Sequence, residues 1–278
     1  MSGGAGSVLL VGAGRMGGAL LKGWLAGGFP PERIFVQEPS PPPDIVEAIT
    51  AAGIRTGMPP AMDAPPQVIL LAVKPQAMED TLSAVAPLAG PDTVVLSIAA
   101  GRSIASMARA FPADTAIIRA MPNTPAAIGR GITALCANSH ATDEQRAVCE
   151  GLLKAGGETV WVAQEGLIDA VTAVSGSGPA YVFLLAECLA EAGRAVGLDA
   201  ELAGRLARAT VSGGGELLHQ SPLGADALRR NVTSPAGTTQ AALDVLMGSG
   251  GAGASQPLQE LMTRAVEAAL RRARELAG

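Results

Sequence analysis

The sequence predicts an α/β protein with a doubly wound, mainly parallel sheet over residues 1–163 and an all-α domain over residues 164–278. Three observations carry this. Short apolar runs alternate with helically spaced segments through the first half. A G-x-G-x-x-G stands between the first such run and the first helix. No strand-like run follows Val162.

The first strand is Val8–Val11, and glycine spacing with apolar positions every three or four residues predicts a helix over 15–27. Strands follow at Ile34–Val36, Val68–Val73, Val94–Ile98 and Ala116–Ile118, each bounded by Gly, Pro or polar residues. Helices are expected near 43–52, 76–86 and 102–110. Strands near 132–135 and 159–162, with a helix near 142–155, extend the sheet. Gly178-Pro179 opens a long apolar helix, because proline in a first turn loses no hydrogen bond. Gly197 ends it and Asp199 caps the next. Ser221-Pro222 opens a short helix, another starts near Thr238, and the last runs from about 256.

Composition excludes several function classes. Hydrophobic residues make up 48% and charged residues 16% of the 278, which is a globular balance. Aromatics are only 3%, so the core is built mainly from Ala, Val, Leu and Ile. The net charge of −5 offers no basic field, and nucleic acid is not an expected partner. The three cysteines (Cys136, Cys149, Cys188) lack metal-ligand spacing and suit a reducing compartment. The opening residues lack a charged start and a long apolar stretch, so no signal peptide is expected, and no uninterrupted run suggests a membrane helix. A cytoplasmic protein that binds no metal is expected.

Gly12, Ala13, Gly14, Arg15, Met16 and Gly17 form the glycine motif in its required strand–turn–helix setting. Its glycines permit a tight turn and close approach of a pyrophosphate to the helix N–H groups, which predicts a Rossmann-type dinucleotide site. Glu38 ends the second strand, where a carboxylate accepts from a ribose 2′-OH and repels a 2′-phosphate. On that ground the cofactor is NADPH or NADH, with NADH favoured; Arg15 is the residue that could still accommodate a phosphate.

Four more motifs follow in order: Ala72-Val-Lys-Pro75, Met121-Pro-Asn-Thr-Pro125, Ser175-Gly-Ser-Gly-Pro-Ala-Tyr181 and Val232-Thr-Ser-Pro-Ala-Gly-Thr-Thr239. With the glycine loop they make the chain resemble the pyrroline-5-carboxylate reductase family over nearly its whole length. The resemblance implies a nucleotide-binding domain, a helical domain that interlocks with a second subunit, and hydride transfer from NAD(P)H to a cyclic imine acid to give L-proline. It implies that Ala72, Val73, Lys74 and Pro75, with Ala99 and Ala100, line the nicotinamide side of the cofactor. Asn123 and Thr124 then flank the nicotinamide and the substrate. Ser175, Gly176, Ser177 and Gly178, ahead of Pro179, read either as the cap of a long helix or as a close-approach floor under the substrate. The carboxylate falls to Gly237, Thr238 and Thr239, with the Thr239 hydroxyl at the imine nitrogen. The dinucleotide and this anion nest are expected to face each other within hydride distance.

The residues themselves suit that chemistry. Gly-Thr-Thr before a helix offers unpaired N–H groups and a positive dipole end; an ordinary threonine cap is the plainer reading. A protonated imine needs orientation more than acid–base help, and the chain is poor in such groups. His140 and His219 are expected in solvent, Tyr181, Trp24 and Trp161 in the core, and Lys74 facing the cofactor or serving structure. The related hydroxyacid dehydrogenases use a lysine on a C-terminal-domain helix, and no Lys follows Lys154.

Three positions depart from the family's pattern: Ala236 where the substrate loop has glycine, Glu38 where Ser or Asn is common, and Pro59 where Asn is common. Two alternatives stay open: a reductase of another small cyclic imine acid, and a catalytically weak, reductase-like regulatory protein. A homodimer or a larger homo-oligomer built from dimers is expected.

Overall fold

The computed structural model describes residues 6–58, 62–248 and 257–277. By packing, the chain divides into one compact unit of Met1–Gly176 with Leu270–Gly278 and a second of Ser177–Ala269. The sequence places the division at 163/164, where strands give way to helices. The packing boundary comes later because the first helix after that point remains on the sheet: Ile168 is fully buried with Ala134 and Cys136.

The first unit is an eight-stranded sheet in the order β3-β2-β1-β4-β5-β6-β7-β8. Its strands are β1 (Val8–Val11), β2 (Ile34–Gln37), β3 (Arg55–Thr56), β4 (Val68–Leu71), β5 (Val94–Ser97), β6 (Ala116–Met121), β7 (Gly131–Ala137) and β8 (Gly157–Trp161). All neighbours are parallel except β6 and β7. The sheet is therefore mainly parallel, as expected; the reversal at β7 and the exposed two-residue β3 leave no periodic signal in the sequence.

Side chains alternate along each strand, and both faces are covered. Val8, Leu10, Ile34, Val36 and Leu70 pack beneath Leu20, Leu21 and Trp24 of α1 (Arg15–Ala26) and Ile45 and Ile49 of α2 (Pro43–Ala52). Leu9, Val11, Ile69, Leu71 and Val95 face Met78, Leu82 and Val85 of α3 (Met78–Val85) and Met107 of α4 (Ile104–Ala108). Burial on both sides is why these strands appear in the sequence as unbroken apolar runs. α4 is shorter than its expected span because Ser103 starts it, its Oγ accepting the Ser106 N–H at 3.1 Å. α5 (Asp143–Leu153) opens on a reciprocal Thr142–Gln145 capping box. α6 (Leu167–Val171) runs into a wide π-type turn, Thr172–Gly176, where the sequence suggested a cap or a floor under the substrate.

The second unit is helical: α7 (Gly178–Ala195), α8 (Ala200–Gln220), α9 (Ala225–Asn231), α10 (Thr238–Met247) and most of α11 (Pro257–Ala277). Asp199 caps α8 as expected, accepting the Leu202 N–H at 2.9 Å. α9 starts at Ala225, after the Ser221-Pro222 pair. No residue of α7 is buried, and Phe183 is 63% exposed amid Val182, Leu184 and Leu185. The helical stretch Leu167–Ala195 is long and apolar enough to cross a membrane by length and composition, an 18-residue window within it reaching a mean hydropathy of 1.3. Its apolar residues are interrupted along the chain, so a search for an unbroken run passes over it.

Candidate active site

The glycine loop shows why each of its glycines is there. Gly12 has φ +93°, and a Cβ on it would stand 2.7 Å from the Ala72 carbonyl oxygen. A Cβ on Gly17 would collide with the Gly12 carbonyl oxygen. Both glycines are thus required by the turn and by its packing on the chain leaving β4. At Gly14 an added Cβ would meet nothing within 4 Å, so packing does not explain that glycine. Gly14 caps α1 without a side-chain hydrogen bond, which leaves the helix's first N–H groups open toward that clear space. A helix start without a side-chain cap, with open space at Gly14, fits the pyrophosphate of a dinucleotide. Arg15 is exposed beside it, Ala13 is buried, and Met16 packs on the core.

Glu38 lies where the second strand ends. Its Oε2 accepts the Ala13 N–H and its Oε1 the Ser40 N–H, both at 3.0 Å. The carboxylate is thereby fixed against the glycine loop. Its neighbour Gln37 is 6% exposed, and its Oε1 has no hydrogen-bond partner among the described residues. Nothing in the sequence marks Gln37; only its burial beside Glu38 brings it out. Pro59 lies outside the described residues.

Ala72, Val73, Lys74 and Pro75 leave the carboxyl end of β4, and Ala99 and Ala100 that of β5. The Ala72 N–H donates to the Val11 carbonyl at 2.7 Å, which ties this segment to the base of the glycine loop. Lys74 and Ala100 are exposed and Ala99 is buried, its N–H on Ser97 Oγ at 3.3 Å. The Pro75 carbonyl accepts from Arg102 Nη2 at 3.2 Å. Motifs far apart in sequence thus share one edge of the sheet, the edge where open α/β sheets bind ligands.

At the carboxyl end of β6, Asn123 accepts the Ile132 N–H on Oδ1 at 3.0 Å and donates from Nδ2 to Ser175 Oγ at 3.2 Å. Thr124, beside it, is exposed. The turn holding Ser175 comes close to β6: a Cβ on Gly176 would stand 2.7 Å from the Met121 methyl. Beneath it, Arg119 is 5% exposed, with Nη1 3.0 Å from Glu165 Oε1 and Nη2 3.2 Å from Asp169 Oδ1. Glu165 also accepts the Ile104 N–H at 2.7 Å. This buried ion group anchors the chain that leads into Ser175. Sequence reasoning missed it; the signal was a lone arginine inside an apolar strand.

In the second unit, Ser177 caps α7 through its backbone alone, and Gly178 has open space around it. Thr233-Ser-Pro-Ala-Gly237 closes a turn in which the Gly237 N–H donates to the Ser234 carbonyl at 3.0 Å. Pro235 and Ala236 occupy its centre, and Ala236 has φ 56°, the one positive φ at a non-glycine among the described residues. A type II turn requires that sign at its third position, so alanine stands in a conformation that suits glycine. Gly237 then caps α10 with no side-chain bond, and the N–H groups of Thr238 and Thr239 open the helix. Thr238 is exposed and Thr239 half-buried.

Other polar candidates stand apart. His140 and His219 are exposed, Tyr181 and Trp161 are half-buried, and Trp24 is buried with its indole N–H on the Leu152 carbonyl at 2.8 Å. Burial pushes the Cys149 thiol up to about 12, far from a reactive thiolate. Among the described residues, no group of three His, Cys, Asp or Glu is placed to hold a metal ion.

Comparison with known proteins gives this arrangement its family. Residues 165–276 match the family model described as pyrroline-5-carboxylate reductase dimerisation. Residues 7–101 match one described as NADP oxidoreductase, coenzyme F420-dependent. A pyrroline-5-carboxylate reductase from Pseudomonas aeruginosa is 37% identical over 272 residues, covering 97% of this chain and 96% of that protein. The structure of a pyrroline-5-carboxylate reductase from Coxiella burnetii superposes with a TM-score of 0.87 at 32% identity, covering 99% of this chain and all of that one. A Plasmodium falciparum pyrroline carboxylate reductase with NADP bound superposes at 0.77 with 26% identity, covering 98% of each. The dimerisation segment spans the exposed apolar helices and makes the chain a subunit of a homo-oligomer. With relatives of this kind matched over nearly its whole length and the dimerisation model over its helical half, the chain belongs to the pyrroline-5-carboxylate reductases.

Proposed function

We propose that this chain reduces 1-pyrroline-5-carboxylate to L-proline, the nucleotide bound by residues 12–17 and the substrate carboxylate by residues 237–239. The observation that carries the reading is the N–H cradle kept clear at Gly14, at the sheet edge shared by Ala72–Pro75 and Ala99–Ala100. NAD(P)H, when bound, supplies the hydride; the chain's own residues hold and orient.

The Gly237, Thr238 and Thr239 N–H groups hold the carboxylate, which fixes the ring by its one permanent charge. The Thr239 hydroxyl sits at the ring nitrogen. A hydroxyl is too weak an acid to protonate the imine at neutral pH, so Thr239 orients a nitrogen that is protonated from solvent. Ala72–Pro75, Ala99 and Ala100 bound the nicotinamide side, and Glu38 holds the adenosine ribose.

The enzyme works in the cytoplasm as a dimer or a ring of dimers, with α7 at the subunit contact. The test is loss of reduced-nicotinamide absorbance on mixing purified protein, cofactor and pyrroline-5-carboxylate, with proline identified as the product. Cofactor binding without turnover would instead support a regulatory protein.

A further inference from the structure

The hydrogen bonds of Asn123 fix the direction of a hydroxyl beyond it. The Ile132 backbone N–H can only donate, so the atom of Asn123 that faces it at 3.0 Å is the amide oxygen. The amide nitrogen therefore faces Ser175, 3.2 Å from Oγ, and that nitrogen can only donate. Ser175 accepts this bond and keeps its own proton. Among the described residues, that proton has no acceptor.

The place of this hydroxyl says what it serves. Asn123 follows β6, two strands beyond β4 in the sheet. It lies on the carboxyl edge, past the ends of β1, β4 and β5, which carry the groups expected against the dinucleotide. Ser175 is held there by a turn packed on β6, where a Cβ on Gly176 would stand 2.7 Å from the Met121 methyl and push it aside.

We propose that Ser175 is a substrate-binding donor, its proton held for an acceptor atom of the cyclic imine acid, and that Asn123 is the positioning residue that sets the hydroxyl's polarity. This rests on the reductase reading above. The competing role for a serine in a helical turn is to donate to a backbone carbonyl one turn back, which would leave catalysis untouched.

Three variants separate the two: Ser175→Ala, Asn123→Asp and the double substitution. Asn123→Asp still accepts from Ile132 but offers Ser175 an acceptor, so the hydroxyl turns inward and its outward proton is lost. Each single variant should raise KM for pyrroline-5-carboxylate about tenfold, the scale of one hydrogen bond. In Ser175→Ala the dissociation constant for the cofactor, read by nicotinamide fluorescence, should not change. In the Ser175→Ala background, Asn123→Asp should add nothing, because both changes remove the same proton. A wild-type KM in Ser175→Ala, additive losses, or a loss confined to cofactor affinity would each overturn the proposal. Absence of any turnover by the wild type is a different result, which removes the reductase reading and this proposal with it.

Discussion

Glu38 Oε2 lies 3.0 Å from the backbone nitrogen of Ala13, so the acidic end of β2 is bonded to the glycine loop at residues 12–17. A second bond, from the Ser40 N–H, fixes the other oxygen. A carboxylate held in this way cannot swing aside for a 2′-phosphate. We expect NAD+ to bind at least tenfold tighter than NADP+, a difference of about 1.4 kcal/mol. Glu38→Ser should erase most of that ratio. Calorimetric titration of both nucleotides checks it, and tighter NADP+ binding by the wild type would refute the assignment.

Thr239→Ala should lower kcat/KM for pyrroline-5-carboxylate by roughly tenfold or more, the cost of one hydrogen bond made in the transition state. Cofactor affinity should hold, because the proposal places Thr239 at the substrate and not at the nucleotide. Steady-state kinetics with a parallel cofactor titration decides it; an unchanged rate takes Thr239 out of the mechanism.

Ala236 carries a positive φ in a turn that suits glycine. Ala236→Gly should stabilise the protein by about 1 kcal/mol, since relief of left-handed strain exceeds the entropy that glycine adds to the unfolded chain. Chemical denaturation measures this. A loss of stability would mean that the alanine methyl makes contacts worth more than the strain.

Among the described residues, Arg119 is the sole cation in its ion group, 5% exposed between Glu165 and Asp169. Arg119→Ala leaves two carboxylates facing each other and should destabilise the first unit by about 3 kcal/mol. Arg119→Ala combined with Glu165→Gln and Asp169→Asn should recover part of that loss. Equal melting temperatures for Arg119→Ala and wild type would show that the group contributes nothing.

Glu150 is held below the usual glutamate range first by its bond to Lys154 and then by the Trp161 indole N–H at 2.9 Å. A depressed folded-state pKa adds stability above the unfolded value and loses it as pH falls through the folded one. Wild type should therefore melt above Glu150→Gln at neutral pH. The gap should close as pH falls below 4.5, the ordinary glutamate value. A gap constant through the acid range would rule out this linkage.

The sequence made the sheet's parallel core legible because burial on both faces writes each strand as an unbroken apolar run, as in Val68–Leu71. It did not show that β7 runs antiparallel to β6, because direction is set by the short connection after Asn123 and leaves no periodicity. The glycine loop was legible in full, since its strand–turn–helix setting is local. The Asn123–Ser175 bond was not, because 52 residues separate the partners and neither looks unusual where it stands. Arg119 was hidden for the same reason: its carboxylates lie on a helix and a loop that the sequence assigned to the far side of a domain boundary.

The unburied α7 ties stability to mass action. With α7 at the subunit contact, as proposed above, a helix with Phe183 63% exposed is covered when subunits meet, and association contributes to the free energy that keeps the chain folded. Its melting temperature is then a property of protomer concentration as well as of sequence. A substitution on α7 that weakens association acts as dilution does, even with every group that handles nucleotide or substrate intact.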